Sequence, residues 1–252
     1  MPMLLDKDTD LEIIQSPLNY TGGKFKLLPQ ILPLFPKNID IFVDLFCGGA
    51  NVGINVKSNR TILNDTDDNL TYLFNTFKNL GSDCLPLLDE IIEEYGLSQS
   101  AKHGYEYYGC DSGIGLAPYN KDKFLKLRED FNNSPDPGYH HYAMLYVLII
   151  YSFNNQIRFN RQGQFNLPVG KRDFNVKMKD KLNKFITRLA SKRYEFSNYD
   201  FRDFDMSQLN SDDFVYADPP YLITCATYNE QGGWNEQDAV SYTHLTLPTN
   251  RE

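Results

Sequence analysis

The chain has 252 residues, 41% of them hydrophobic and 23% charged, with a net charge of −8. That length suits one α/β domain, or a domain carrying an inserted module, and a core of that size needs no disulfide or metal staple. No apolar run approaches the roughly 18–20 residues that cross a bilayer, and the opening MPMLLDKDTDLEIIQ lacks the features of a signal peptide, so a cytoplasmic protein without membrane contact is expected.

Residues 24–35 (KFKLLPQILPLF) space their apolar positions as a helix does, with Pro29 giving a kink or an early start. Ile39 to Phe46 (IDIFVDLF) reads as a buried strand ending in the turn CGGA. A helix should follow over 51–57, then a strand at 60–64 (RTILN) and a helix over 67–80. This βαβα alternation predicts a parallel sheet with helices on both faces, hence an α/β fold.

The middle of the chain reads differently. Helical patterns cover 84–95, 121–131 and 141–151, interrupted by a Gly/Tyr-rich stretch at 104–118. The segment 153–170 is rich in Asn, Gln and Gly, which suggests loops with a hairpin around Arg161-Gln162-Gly163. A helix over 176–192 and strands at 194–197 and 213–217 resume the earlier pattern. The expected organisation is therefore a catalytic domain in two pieces, 1–80 and 193–240, around a mainly helical insertion at 81–192.

Four cysteines lie far apart without a CxxC pair and read as reduced thiols. His140 and His141 are the only adjoining histidines, and neighbours on a helix point apart, so no metal site is expected. The charge is uneven: from Tyr151 to Arg193, eleven Lys and Arg face only Asp173 and Asp180. That run fits a solvated helix face as well as a phosphate-binding surface on an otherwise acidic protein.

Four short strings carry chemistry. FVYADPPY ends an apolar strand at Asp218, followed by Pro219, Pro220 and Tyr221. Two prolines remove two backbone donors and leave stiffly held carbonyl acceptors. A carboxylate beside such a carbonyl can accept both hydrogen bonds of an exocyclic amino group, and the neighbouring aromatic ring can stack on a planar base. In VDLFCGGA, glycines after a strand let backbone approach a ligand at the carboxyl edge of the sheet. Asp65, in ILND, suits either ribose hydroxyls or the start of the next helix. In NYTGGK, Gly-Gly-Lys before a helix suits an anion or a plain turn.

In this order, YTGGK, DLFCGGA, ILND and DPPY resemble the Dam-type family of DNA adenine-N6 methyltransferases, over about residues 18–238. The segment FNNQIRFNRQGQFNLPVGK at 153–171 also resembles that family's target-recognition segment. The resemblance implies a Rossmann-like sheet, S-adenosyl-L-methionine as cofactor and double-stranded DNA as substrate, with GATC as the family's default site. By position it implies Tyr20, Gly23 and Lys24 in the cofactor pocket, Phe46, Gly48 and Gly49 around the methionine and ribose, and Asp65 on the ribose hydroxyls. Asp200 and Phe201 would meet the cofactor's adenine. Asp218 would serve both cofactor and target base, with Pro219, Pro220 and Tyr221 completing the catalytic site. Asn154, Arg158, Asn160, Pro168 and Lys171 would contact DNA. A monomer is expected, and a cognate restriction endonuclease is left open as a partner.

Other readings are methyl transfer to N4 of cytosine, to RNA adenine or to a protein glutamine, or a DNA-binding remnant without activity. After Asp238 the chain runs AVSYTHLTLPTNRE, and residues 241–252 resemble translated vector sequence more than any family segment. On that reading the sheet is incomplete at its C-terminal side and the chain as written is inactive.

Overall fold

The computed structural model describes residues 12–135, 137–220, 237, 238, 241 and 242. Four strands pair in parallel: β1 (Ile41–Asp44), β2 (Arg60–Asn64), β3 (Arg193–Ser197) and β4 (Phe214–Tyr216), in the order β3-β2-β1-β4. Val43 stands opposite Ile62 on one side and Val215 on the other. A strand flanked and covered on both faces must be apolar throughout, and Phe42 and Val43 are fully buried. The chain leaves β1 toward β2 on one side and returns to β4 on the other. A crevice therefore opens at the carboxyl ends of β1 and β4, where such sheets bind ligands.

The helical period over 24–35 is broken. A single α-helical turn, α1 (Leu28–Ile31), lies between 3-10 turns at Phe25–Leu27 and Leu32–Leu34, since Pro29 and Pro33 remove backbone donors. The helix expected over 51–57 is also absent. In its place stands one 3-10 turn, Gly53–Asn55, whose polar groups go to distant partners. The Asn55 amide exchanges hydrogen bonds with Ile14 N and O, both 2.8 Å, and Asn51 Oδ1 accepts from Ser16 N at 3.0 Å. Ile54 O accepts from Arg188 Nη1 at 3.1 Å and from the Tyr194 hydroxyl at 3.2 Å, while Lys192 Nζ donates to Val56 O. These side chains satisfy the turn more fully than one more helical turn would.

Five helices match their sequence patterns: α2 (Asp68–Leu80), α3 (Cys84–Glu94), α5 (Ala117–Asn133), α6 (Tyr139–Tyr151) and α7 (Val176–Ser191), while the single turn α4 (Ser100–His103) lies outside every expected helix. Asp67 starts α2 by accepting from Asn69 N at 3.0 Å. Apolar on every side, α6 is buried from Tyr142 to Tyr151 between α2, α3 and α5. One continuous core thus joins the sheet, through α2 and α6, to the inserted helices.

Much of the basic run serves this packing. Lys179 pairs with Asp89 at 2.6 Å, Lys184 with Glu12 at 3.0 Å and Arg193 with Glu195 at 3.4 Å, besides the contacts of Arg188 and Lys192 above. Five of the eleven basic residues thus have partners elsewhere in the fold, and the exposed ones without such a role, such as Arg161, Arg172 and Lys177, remain for any phosphate-binding surface. Among the described residues, no helix is long and apolar enough to cross a membrane.

Candidate active site

The loop after β1 turns through Gly48, at φ +47°, where a side chain would be strained. Tyr20 lies directly on this loop: a Cβ added to Gly48 would stand 2.7 Å from its ring, and one on Gly49 would stand 2.9 Å from its Cβ. Gly23 N donates to Tyr20 O at 3.2 Å, closing the YTGG turn, and Lys24 Nζ donates to Gly22 O at 3.1 Å. The same ammonium reaches Asp218 Oδ2 at 2.5 Å. Two strings nearly 200 residues apart thus meet at the crevice between β1 and β4. Asp218, Pro219 and Pro220 follow β4 and are half-buried. Tyr221 lies outside the described residues.

Asp65 ties two loops together. Its Oδ2 accepts from Gly48 N at 2.8 Å and its Oδ1 from Asp67 N at 3.1 Å. The helix cap is Asp67, so Asp65 remains at the carboxyl edge rather than being consumed by α2. Sequence reasoning missed a further carboxyl at this edge, Asp44, at the end of β1. Only 2% exposed, it accepts from Gly53 N at 2.9 Å. Burial pushes its pKa up to about 7, opposed by the Gly53 hydrogen bond and reinforced by the charges of Asp65 and Asp218. The available signal was an acid inside an otherwise apolar run, IFVDLF. Cys47, between these carboxyls, is pushed well above the usual thiol range by burial and then by Asp65 and Asp44, so it stays protonated and is no nucleophile.

After β3 the chain supplies Asp200 and Phe201. The Phe201 ring is buried and packs 5.5 Å from that of Phe46. Arg202 grips Asp200 through its backbone N–H at 2.9 Å, Nε at 2.7 Å and Nη2 at 2.6 Å, and reaches Asp238 Oδ1 through Nη1 at 3.1 Å. This grip holds the Asp200 carboxyl below the usual range. From 241–252 only Ser241 and Tyr242 are described, and the Tyr242 ring stands edge-on to Phe46 and Phe201 at 6.3 and 6.5 Å. Tyr20, Gly23, Lys24, Phe46, Gly48, Gly49, Asp65, Asp200, Phe201 and Asp218 therefore all occupy one edge of the sheet, with Asp44 beneath them.

The 153–171 segment lies on the inserted helices. Its hairpin forms as expected: Phe159 pairs with Phe165, Asn160 N donates to Gln164 O at 2.8 Å, and the tip turns at Gly163. Asn160 Oδ1 accepts from Gln162 N and Gln164 N at 3.0 and 2.9 Å, so that side chain shapes the tip. Arg158 donates from Nε and Nη2 to Asn166, at 2.7 and 3.1 Å. Asn154 has left-handed backbone at φ +58°, and its carbonyl accepts from Asn19 Nδ2 at 2.8 Å, linking this segment to the Tyr20 turn. Pro168 O accepts from Phe153 N at 2.9 Å, and Lys171 lies exposed beside the loop at Gly113. Among the described residues, no group of three or more His, Cys, Asp or Glu could hold a metal ion.

Comparison with known proteins gives this edge a context. Residues 20–247 match the D12 class N6 adenine-specific DNA methyltransferases. The chain is 43% identical over 220 residues to the modification methylase StsI of Streptococcus sanguinis, covering 86% of this chain and 30% of that protein. It is 42% identical over 220 residues to the type II methyltransferase M.FokI of Planomicrobium okeanokoites, with the same coverage of 86% and 30%. With the DNA adenine methylase of Escherichia coli (strain K12) it shares 28% identity over 212 residues, 84% of this chain and 66% of that one. It thus spans about a third of the length of the first two relatives. A family match over nearly the whole chain, on a four-stranded parallel sheet, makes it a member of the D12 class N6 adenine-specific DNA methyltransferase family.

Proposed function

We propose that the enzyme these residues belong to transfers a methyl group from S-adenosyl-L-methionine to the N6 amino group of an adenine flipped out of double-stranded DNA. The observation that carries the reading is the meeting of Asp218-Pro219-Pro220 with the glycine loop after β1 at the switch point of the sheet, with Lys24 on the Asp218 carboxylate. The donor set suits this cofactor. Asp44, Asp65 and Asp218 give an acidic setting for its positive charges, the glycine loop admits close backbone contact, and Phe46 and Phe201 offer aromatic faces.

When bound, the cofactor supplies a methyl group on a sulfonium, which is electrophilic without further activation. The Asp218 carboxylate and the Pro219 carbonyl accept hydrogen bonds from the adenine amino group and favour a nitrogen with an available lone pair. Holding the two reactants in line is the main task of the site, and roughly 7–11 kcal/mol is available from such alignment. Unstacking the base costs a few kcal/mol, which Tyr221 offsets by stacking on it.

Arg158, Asn154, Asn160, Pro168 and Lys171 contact the DNA, with Arg158 reading a base edge. The names of the relatives, modification methylase and type II methyltransferase, support a role in protecting DNA from a cognate endonuclease, and the protein is proposed to act as a cytoplasmic monomer. Residues 81–192 then serve as a target-recognition module inserted into the catalytic domain. The test uses duplex DNA and cofactor with a labelled methyl group, followed by digestion to nucleosides. N6-methyladenine as the labelled base is the expected result; N4-methylcytosine, or no labelled base, would overturn the proposal.

A further inference from the structure

Asn64 closes β2, one residue before Asp65, and is 1% exposed. Its side chain uses its whole hydrogen-bonding capacity. Nδ2 donates to Leu45 O at 3.0 Å and to Tyr199 O at 2.9 Å; Oδ1 accepts from Ser197 Oγ at 2.8 Å and from Tyr199 N at 3.0 Å. Leu45 immediately precedes Phe46, Ser197 ends β3, and Tyr199 immediately precedes Asp200 and Phe201. One buried amide therefore joins the ends of three adjacent strands where each passes into a loop of the candidate site. Its backbone reinforces the junction, since Cys47 N donates to Asn64 O at 2.8 Å.

Few side chains could take this place. A carboxylate would face the carbonyls of Leu45 and Tyr199 with no donor to offer them. An apolar isostere would leave buried backbone groups without partners, which costs more than the lost bonds themselves. We propose that Asn64 is the positioning residue of the cofactor pocket. It fixes the separation of the wall carrying Phe46 and Gly48 from the wall carrying Asp200 and Phe201, without itself touching the cofactor. This inference rests on the reading of the carboxyl edge as the S-adenosyl-L-methionine site.

The test compares the full chain with Asn64→Ala, Asn64→Asp and Leu88→Ala. The last truncates a fully buried side chain of α3, away from the site, and provides a control for general destabilisation. S-adenosyl-L-methionine binding is measured by calorimetry, DNA binding by anisotropy and stability by thermal melting. Both Asn64 variants should bind the cofactor about tenfold more weakly or worse and keep their affinity for DNA, whereas Leu88→Ala loses stability and keeps cofactor affinity. Should Asn64→Ala fail to fold, Asn64→Ser is held to the same outcome. Unchanged cofactor binding in the Asn64 variants, or an equal loss in Leu88→Ala, overturns the inference alone. No cofactor binding by the unaltered chain overturns the pocket reading and the inference with it.

Discussion

At the carboxyl edge of the sheet, side chains join segments remote in sequence: Asn64 bonds Tyr199 across 135 residues, and Lys24 reaches Asp218. In the hairpin at 159–165 the bonds are local. Asn160 holds Gln162 and Gln164, and Arg158 holds Asn166 only eight positions away. Its tip makes no such demands on the rest of the fold, and α5 anchors only its base, through Asn132 and Arg128. The contrast teaches that the carboxyl edge is built into the whole fold, while the hairpin proposed to read DNA is stabilised largely by its own residues. On the proposed reading, changes at the tip should alter the DNA sequence selected without disturbing the edge, whereas changes at the edge cannot be made singly.

The sharpest way to break this contrast is Asp218→Ala. It should lower methylation by about 10²–10³-fold or more, as expected for loss of a preorganised polar group, while DNA affinity stays within a few-fold. Methylated nucleosides and DNA binding, measured on the same preparation, check both halves. Comparable losses in both would mean that edge and hairpin are not separable.

Asp44→Asn sharpens the edge half through pH. Asp44 titrates at about 7 in the folded chain, against about 3.9 when unfolded. The folded state thus holds this proton more tightly, a stabilisation that is complete below pH ~4 and lost as pH rises through ~7. Urea unfolding of the unaltered chain should show stability falling across that window, by an amount on the order of a few kcal/mol. The slope should flatten in Asp44→Asn; equal slopes in the two proteins would place the titration elsewhere.

On the hairpin side, Arg158→Ala should cost about 1–3 kcal/mol of discrimination at one base pair, with only a small loss of thermal stability from its hydrogen bonds to Asn166. Sequencing of methylated sites from a mixed pool would reveal it, and a uniform loss over all sequences would move Arg158 to the phosphate-holding group. The smallest expected effect lies in the core shared by both regions. Among the described residues, the buried Tyr146 hydroxyl has no hydrogen-bond partner, while its ring meets Phe77 edge-on at 5.0 Å. Tyr146→Phe should leave stability unchanged or raise it by up to about 1 kcal/mol. A loss larger than that in urea would reveal a role for the hydroxyl.

Much of this architecture was legible in the sequence, for local reasons. The strands at 39–46 and 60–64 are apolar runs closed by Gly or Asp, and the hairpin carries its own Asn and Gly signals. Where the sequence misled, the deciding partners were distant. The place of the 51–57 segment after the glycine turn predicts a helix, but NVGINVK holds mostly weak helix formers, and Ile14, Ser16, Arg188 and Lys192 take up its polar groups. The basic run leaves a solvated helix face and a phosphate-binding surface equally open, because nothing local reveals that Lys179 faces Asp89 or that Lys184 faces Glu12. The strings DPPY and YTGGK were each readable as chemistry. Their junction through Lys24 and Asp218 was not, and neither was the role of Asn64 beside the more conspicuous Asp65.

The pairing of β4 with β1 has a consequence for biosynthesis. Ile41 N–H is capped by Asp213 Oδ1, 172 residues later, and the outer edge of β1 is completed only when Phe214–Tyr216 arrives. At typical elongation speeds the ribosome needs on the order of ten to thirty seconds to cover that distance. Throughout that interval the nascent chain exposes an unpaired apolar strand, a natural target for a holding chaperone. It also means that the Lys24–Asp218 contact cannot form until 194 further residues have been made, long after the 159–165 hairpin has left the ribosome.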